Sequence, residues 1–204
     1  MEALLRNDFT THYGLPVCTE PDLVITTKEP YFEIEDTATK NLVLHTNNGN
    51  GMAKFSNPAL LTVSVVNYDK FMTSLPSHFE KGLKRCDMAL TSQSQFILGE
   101  LKDRNISKPK KKRSVRSVAK EQLFVSLTTL LAVPQIAALA NSKNVKKCCY
   151  FNKQTNAPSL LIATTAFNRL STLFQDGFKM SHPGIEGYNF EFWEYLGGQT
   201  LTLT

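Results

Sequence analysis

The sequence predicts a mixed α/β (or α+β) domain, with a central mixed β-sheet flanked by helices. Three observations predict it. Alternating and β-branched segments recur through residues 31–102, a long helical pattern follows over residues 115–132, and another strand-like run comes at residues 145–151. A chain of 204 residues can bury one ordinary core, and no repeat or domain-sized linker divides it.

In chain order, residues 1–13 suit a short helix, broken by Gly14 and Pro16. Residues 31–35 (Tyr-Phe-Glu-Ile-Glu) alternate as a strand, and residues 41–46 form a second. Asn47-Asn48-Gly49-Asn50-Gly51 is a turn signal, because these residues tolerate positive φ. Residues 60–66 are rich in Leu and Val and read as a strand. Residues 68–75 and 78–84 read as short helical pieces around Pro76. Residues 85–90 and 95–102 are two strands joined by Thr-Ser-Gln-Ser. Val118, Leu123, Leu127, Leu130 and Leu131 give the 115–132 helix an apolar stripe, and Pro134 breaks or kinks it. Residues 145–151 are a strand, 163–174 a helix ending near Gly177, and 188–196 an aromatic last strand.

Composition narrows the function classes. Hydrophobic residues make up 42% and charged residues 20%, which is globular rather than disordered. No apolar run reaches the length of a membrane span, and residues 1–8 lack the apolar core of a secretory signal, so a cytoplasmic protein with no membrane partner is expected. Cys18, Cys86, Cys148 and Cys149 lack zinc-binding spacing and are expected to be buried free thiols. His12, His45, His78 and His182 form no ligand pair at helix or strand spacing.

The charge is concentrated. Residues 102–120 hold nine basic residues (Lys102, Arg104, Lys108, Lys110, Lys111, Lys112, Arg113, Arg116, Lys120) against Asp103, a net +8. The whole chain is +5, so the remainder is −3. Such a segment is most favourable beside a polyanion, where it releases condensed counterions. A solvated loop is the plainer reading of the same run.

One constellation carries chemistry. In a strand, Glu100 and Lys102 share a face. If the hairpin turns at Gln93 and Ser94, Asp87 falls opposite Glu100. Gln-Ser is poor chemistry for a two-residue turn, so a longer loop with a slightly shifted register is equally open. Either way two carboxylates and one ammonium converge after the apolar run Phe96-Ile97-Leu98-Gly99, where Gly99 permits close approach. Like charges so close need a cation between them, and hard oxygen ligands suit Mg²⁺ or Mn²⁺. A solvent-face ion pair is the competing reading.

Asp87, twelve intervening residues, then Glu100-Leu101-Lys102 at the end of an apolar strand resembles the PD-(D/E)xK nuclease superfamily, with its restriction-endonuclease-like core. The resemblance covers residues 65–175. Residues 1–60 are a β-rich extension without a counterpart, and residues 176–204 hold the C-terminal aromatic strand. It implies that Asp87 and Glu100 bind the metal and that Lys102 assists catalysis. Some members add an acid from the preceding helix, for which Glu80 is the candidate. Cys86 stands where the family name has Pro. A RecB-like subset carries Gln-x-x-x-Tyr on the following helix; Gln122 fits, but Ser126 occupies the Tyr position, which argues against exonuclease action.

The expected function is a Mg²⁺- or Mn²⁺-dependent DNA endonuclease, by family analogy in a bacterial defence or mobile-element setting, acting as a homodimer or within a larger defence complex. Lys108, Lys110, Lys111, Lys112, Arg113, Arg116, Lys120 and Gln122 are the expected nucleic-acid contacts, the last two from the first turns of the helix. Two alternatives stand beside it: a binding or complex-forming subunit of the same fold that does not cut, and an RNA endonuclease with His78 as an added ligand.

Overall fold

The computed structural model describes residues 1–39, 41–47, 49, 51–104, 115–154, 177–197 and 199–204. A π-helical run, Leu4–Phe9, continues into the turn Thr10–His12 (α1). The strands are β1 (Val24–Thr27), β2 (Tyr31–Asp36), β3 (Leu42–His45), β4 (Ala53–Ser56), β5 (Val63–Asn67), β6 (Met88–Thr91), β7 (Gln95–Lys102), β8 (Val145–Asn152), β9 (Phe178–Met180), β10 (Glu191–Leu196) and β11 (Thr200–Thr202). The remaining described helices are α2 (Tyr68–Ser74), α3 (Ser77–Glu80), α4 (Val115–Leu131), α5 (Pro134–Asn141) and α6 (Pro183–Glu186).

The fold is mixed α/β, as the sequence predicts. The described strands form a seven-stranded sheet ordered β1-β5-β6-β7-β8-β10-β9 and a four-stranded sheet ordered β11-β4-β2-β3. In the large sheet β7, β8 and β10 are parallel, while the pairs from β1 to β7 and the β9–β10 pair are antiparallel. β7 lies at the centre and is buried from Gln95 through Leu101, as expected of a strand covered on both faces. Phe96 and Leu98 pack with Leu123, Leu127 and Ile136 on the helical side, and Ile97 and Leu101 pack with Phe32, Phe55 and Phe151 on the other. Three layers result: helices, large sheet, small sheet.

Local chemistry accounts for several boundaries. Asn67 caps α2 by accepting from the Lys70 N–H at 2.9 Å. Pro134 sits at the start of α5, where a missing N–H is harmless, and α5 leaves α4 at 108°. The predicted strand over 60–66 starts later, at Val63, because Leu60 takes a positive φ in a turn. The aromatic strand expected over 188–196 is β10, which is not the last strand, since β11 follows it; β10 likewise starts late, at Glu191 after Asn189 at φ 62°. Its aromatic residues are packing elements: Phe190, Phe192 and Tyr195 are buried, and Trp193 lies under Lys147 Nζ at 4.3 Å. All four cysteines are free and buried. The helix expected over 163–174 lies outside the described residues.

Within residues 1–60, Leu5 and Phe9 join the helix-side core and the strands serve the sheets. β1 adds an edge to the large sheet, while β2, β3 and β4 join β11 in the small one. The small sheet buries Glu33 completely and satisfies it with Tyr31 Oη (2.6 Å), the Gly51 N–H (2.7 Å) and Lys54 Nζ (3.5 Å). A side chain at Gly51 would collide with Glu33, so that turn requires glycine. No single helix among the described residues is long and apolar enough to cross a membrane.

Candidate active site

The β6–β7 hairpin decides the geometry. Its ladder runs from Met88↔Gly99 to Thr91↔Phe96, and Ser92 N–H donates to the Gln95 carbonyl at 3.1 Å. Gln93 and Ser94 are therefore the two-residue connection, despite their weak turn chemistry. The ladder departs from its register at one place. The Asp87 N–H donates to the Gly99 carbonyl at 3.1 Å, one residue off the pairing that would set it against Glu100. The Asp87 carbonyl accepts from the N–H groups of Tyr68 (2.9 Å) and Asp69 (3.2 Å) at the start of α2, and its Oδ2 accepts from the Leu101 N–H at 2.6 Å. Asp87 is thus held through its N–H, its carbonyl and its carboxylate.

Helix α4 fixes the two residues before it. Gln122 Nε2 donates to the Arg85 carbonyl at 2.8 Å, and Ser126 Oγ accepts from the Cys86 N–H at 2.7 Å. Gln122 and Ser126 are one turn apart and together satisfy two backbone groups just ahead of β6. Ser126 belongs to the buried stripe of α4 with Ala119, Leu123, Leu127 and Leu130, whereas the predicted stripe residue Val118 is only half-buried.

Asp87, Glu100 and Lys102 converge. Lys102 Nζ ion-pairs with Glu100 Oε1 and lies 3.9 Å from Asp87 Oδ2. Glu100 is 0% exposed and Asp87 8%. Glu100 Oε2 is buried with no hydrogen-bond partner among the described residues. Burial pushes the Asp87 carboxyl up to about 6, against the pull of Lys102 and the Leu101 N–H, and Asp36 and Asp69 add to the push. Burial, then the neighbouring Asp87, pushes Glu100 well above the ordinary carboxylate range, with Lys102 opposing. Burial disfavours the Lys102 charge, but Glu100 and Asp87 outweigh it and raise its pKa. One ammonium faces two acids in a weakly solvated place.

The other expected site residues are distributed differently. Glu80 accepts from Arg85 Nη1 at 2.9 Å. The helix acid whose charge reaches both Asp87 and Glu100 is Asp69, which also pairs with Arg85. Arg116 donates to the nearly buried Glu194 through Nε (2.9 Å), with Nη2 at 2.8 Å. Lys120 Nζ stands 5.3 Å from the Phe192 ring centroid. Gln122 holds backbone, as above. His78 is exposed on α3. Lys108, Lys110, Lys111, Lys112 and Arg113 lie outside the described residues. Asp69, Ser126, Tyr150 and Glu194 were missed by sequence reasoning. Asp69, two residues after the Asn67 cap and in the first turn of α2, offered a faint signal; the others depend on cross-strand or helix–sheet contacts.

Two carboxylates with an orphaned, buried oxygen fit a hard divalent cation that keeps several waters. They do not make a closed cage, since no group of three or more His, Cys, Asp or Glu able to hold a metal occurs among the described residues. The chain matches no family model, no curated protein and no solved structure.

Proposed function

We propose that this chain is a metal-dependent nuclease of the PD-(D/E)xK type that cuts DNA internally, with Asp87 and Glu100 as the metal-holding carboxylates and Lys102 as the catalytic cation. The observation that carries it is the convergence of these three side chains at a central strand, where Glu100 is fully buried and keeps one oxygen unpartnered among the described residues. A surface ion pair has no reason to bury a second acid beside the first, because each desolvated carboxylate is unfavourable unless compensated.

The residues divide the work as follows. Asp87 is fixed through Oδ2 by the Leu101 N–H, leaving Oδ1 for another partner. Glu100 presents Oε2. Lys102 orients the attacking water and offsets charge on the phosphate. A Mg²⁺ or Mn²⁺ ion held by the two acids would lower the pKa of a bound water and stabilise the pentavalent phosphorus. In the sequence, the +8 run of residues 102–120 begins at Lys102, the site's own cation, and such a run favours a polyanionic partner. The placing of DNA ahead of RNA, the defence setting and a two-fold dimer rest on family analogy.

Incubation with supercoiled plasmid, linear duplex, single-stranded DNA and RNA, in Mg²⁺, Mn²⁺ or EDTA, tests the reading. Cleavage that needs metal and is lost in Asp87→Ala and Lys102→Ala is the expected result. A second reading has its own observation: Lys102 already neutralises Glu100, which suits a binding subunit that does not cut. Salt-sensitive nucleic-acid binding, unchanged in both variants and without cleavage under any condition, would establish that subunit and sink the nuclease.

A further inference from the structure

The parallel strands β7, β8 and β10 place Glu100, Tyr150 and Glu194 in one transverse row, Glu100 opposite Tyr150 and Tyr150 opposite Glu194. One step back along the same face, the row is Leu98, Cys148 and Phe192, all in the helix-side core. An apolar row is therefore followed by a polar one, and every member of the polar row is at most 3% exposed.

The outer members are compensated and the middle is not. Glu194 takes the Arg116 guanidinium, and Glu100 Oε1 takes Lys102. Glu100 Oε2 and the Tyr150 hydroxyl are both buried with no hydrogen-bond partner among the described residues. Paired strands stand about 4.8 Å apart, so the two orphaned groups belong to adjacent side chains. Packing alone does not call for the hydroxyl, because Phe192 and Cys148 fill the preceding row without one. A buried hydroxyl lacking a partner destabilises the fold unless something that binds there satisfies it. A phenol keeps its proton at neutral pH, so the Tyr150 hydroxyl is available as a donor there.

We propose that Tyr150 is a positioning residue of the metal site, its hydroxyl being the outer hydrogen-bond donor that holds the Glu100 carboxylate when a hard divalent cation binds between Glu100 and Asp87. The proposal rests on the metal-dependent reading of that site. Carboxylates that ligate a metal are themselves held by hydrogen bonds, and loss of such an outer partner weakens metal affinity roughly 10- to 100-fold. Tyr150 is the neighbour of Glu100 in the next strand whose hydroxyl has no hydrogen-bond partner among the described residues.

The test uses Tyr150→Phe, which removes only the hydroxyl. Mn²⁺ affinity is measured by titration calorimetry at neutral pH, and unfolding is followed separately in EDTA. The expected result is a Mn²⁺ Kd weakened about tenfold or more, with a melting temperature in EDTA equal to or above that of the unmodified protein. A merely structural tyrosine would lower the melting temperature in EDTA, and that result overturns the proposal. So does an unchanged Kd. Glu100→Gln serves as the control that abolishes Mn²⁺ binding. If Glu100→Gln loses Mn²⁺ and Tyr150→Phe does not, the role of Tyr150 falls while the metal site stands. If the unmodified protein binds Mn²⁺, Tyr150→Phe weakens it, and no nucleic acid is cut, the nuclease reading falls and Tyr150 keeps its role. Absence of Mn²⁺ binding in the unmodified protein overturns both.

Discussion

Replacement of Asp87 by Asn should stabilise the metal-free protein at neutral pH and remove its response to Mg²⁺. Burial raises the Asp87 carboxyl from the usual 3.8 to about 6 in the folded chain. The folded pKa lies above the unfolded one, so folding favours the protonated form. That contribution is fully present below the unfolded value near 3.8 and is lost as pH rises through about 6. The loss between those limits is about 3 kcal/mol. Asparagine keeps an acceptor for the Leu101 N–H, carries no charge, and relieves the repulsion that Glu100 feels from Asp87. In EDTA the variant should therefore match the unmodified protein near pH 4 and exceed it by up to about 3 kcal/mol above pH 7. For a chain of this length that is a rise in melting temperature of roughly 6–12 °C. Addition of Mg²⁺ should stabilise the unmodified protein by mass action and leave the variant where it was. Urea unfolding across this pH range, with EDTA and then with Mg²⁺, measures all of it. A variant less stable than its parent at neutral pH, or a parent whose stability does not fall between pH 4 and 7, would refute the claim that Asp87 is held against its desolvation cost.

Ser126→Ala removes the acceptor of the Cys86 N–H and should lower unfolding free energy by about 1–3 kcal/mol, read from urea midpoints. An unchanged midpoint would mean that α4 does not hold the entry to β6. Arg116→Ala leaves Glu194, 3% exposed, without its guanidinium and should cost about 3 kcal/mol at neutral pH. Adding Glu194→Gln should restore most of it, and failure of the double variant to recover in thermal unfolding would place the damage in packing rather than charge.

Much of the core was legible because its local signals agree with its environment. β7 was readable to the residue, since Gln95–Lys102 is an apolar strand flanked by polar breaks and is buried on both faces. α4 was readable because Leu123, Leu127 and Leu130 recur at helical spacing. The register of β6 on β7 followed from a count about Gln93 and Ser94, although the turn residues argued weakly for it. β1, β4, β9 and β11 went unread. Each is three or four residues long, too short for alternation to stand out, and exists because a neighbouring strand accepts it.

The division has a physical cause. By itself the sequence determined the mixed α/β class, the central hairpin and the pairing of Glu100 with Lys102 on one face, because these depend on periods of two and 3.6 residues within one segment. Only the tertiary structure decided that Asp87 slips one residue off the ladder and is caught by the first N–H groups of α2, and that Asp69 adds its charge to the site. It likewise decided that Tyr150 lies between Glu100 and Glu194. Those residues are brought together by parallel pairing across long connections and by helix–sheet contacts, and no spacing within a single segment encodes them.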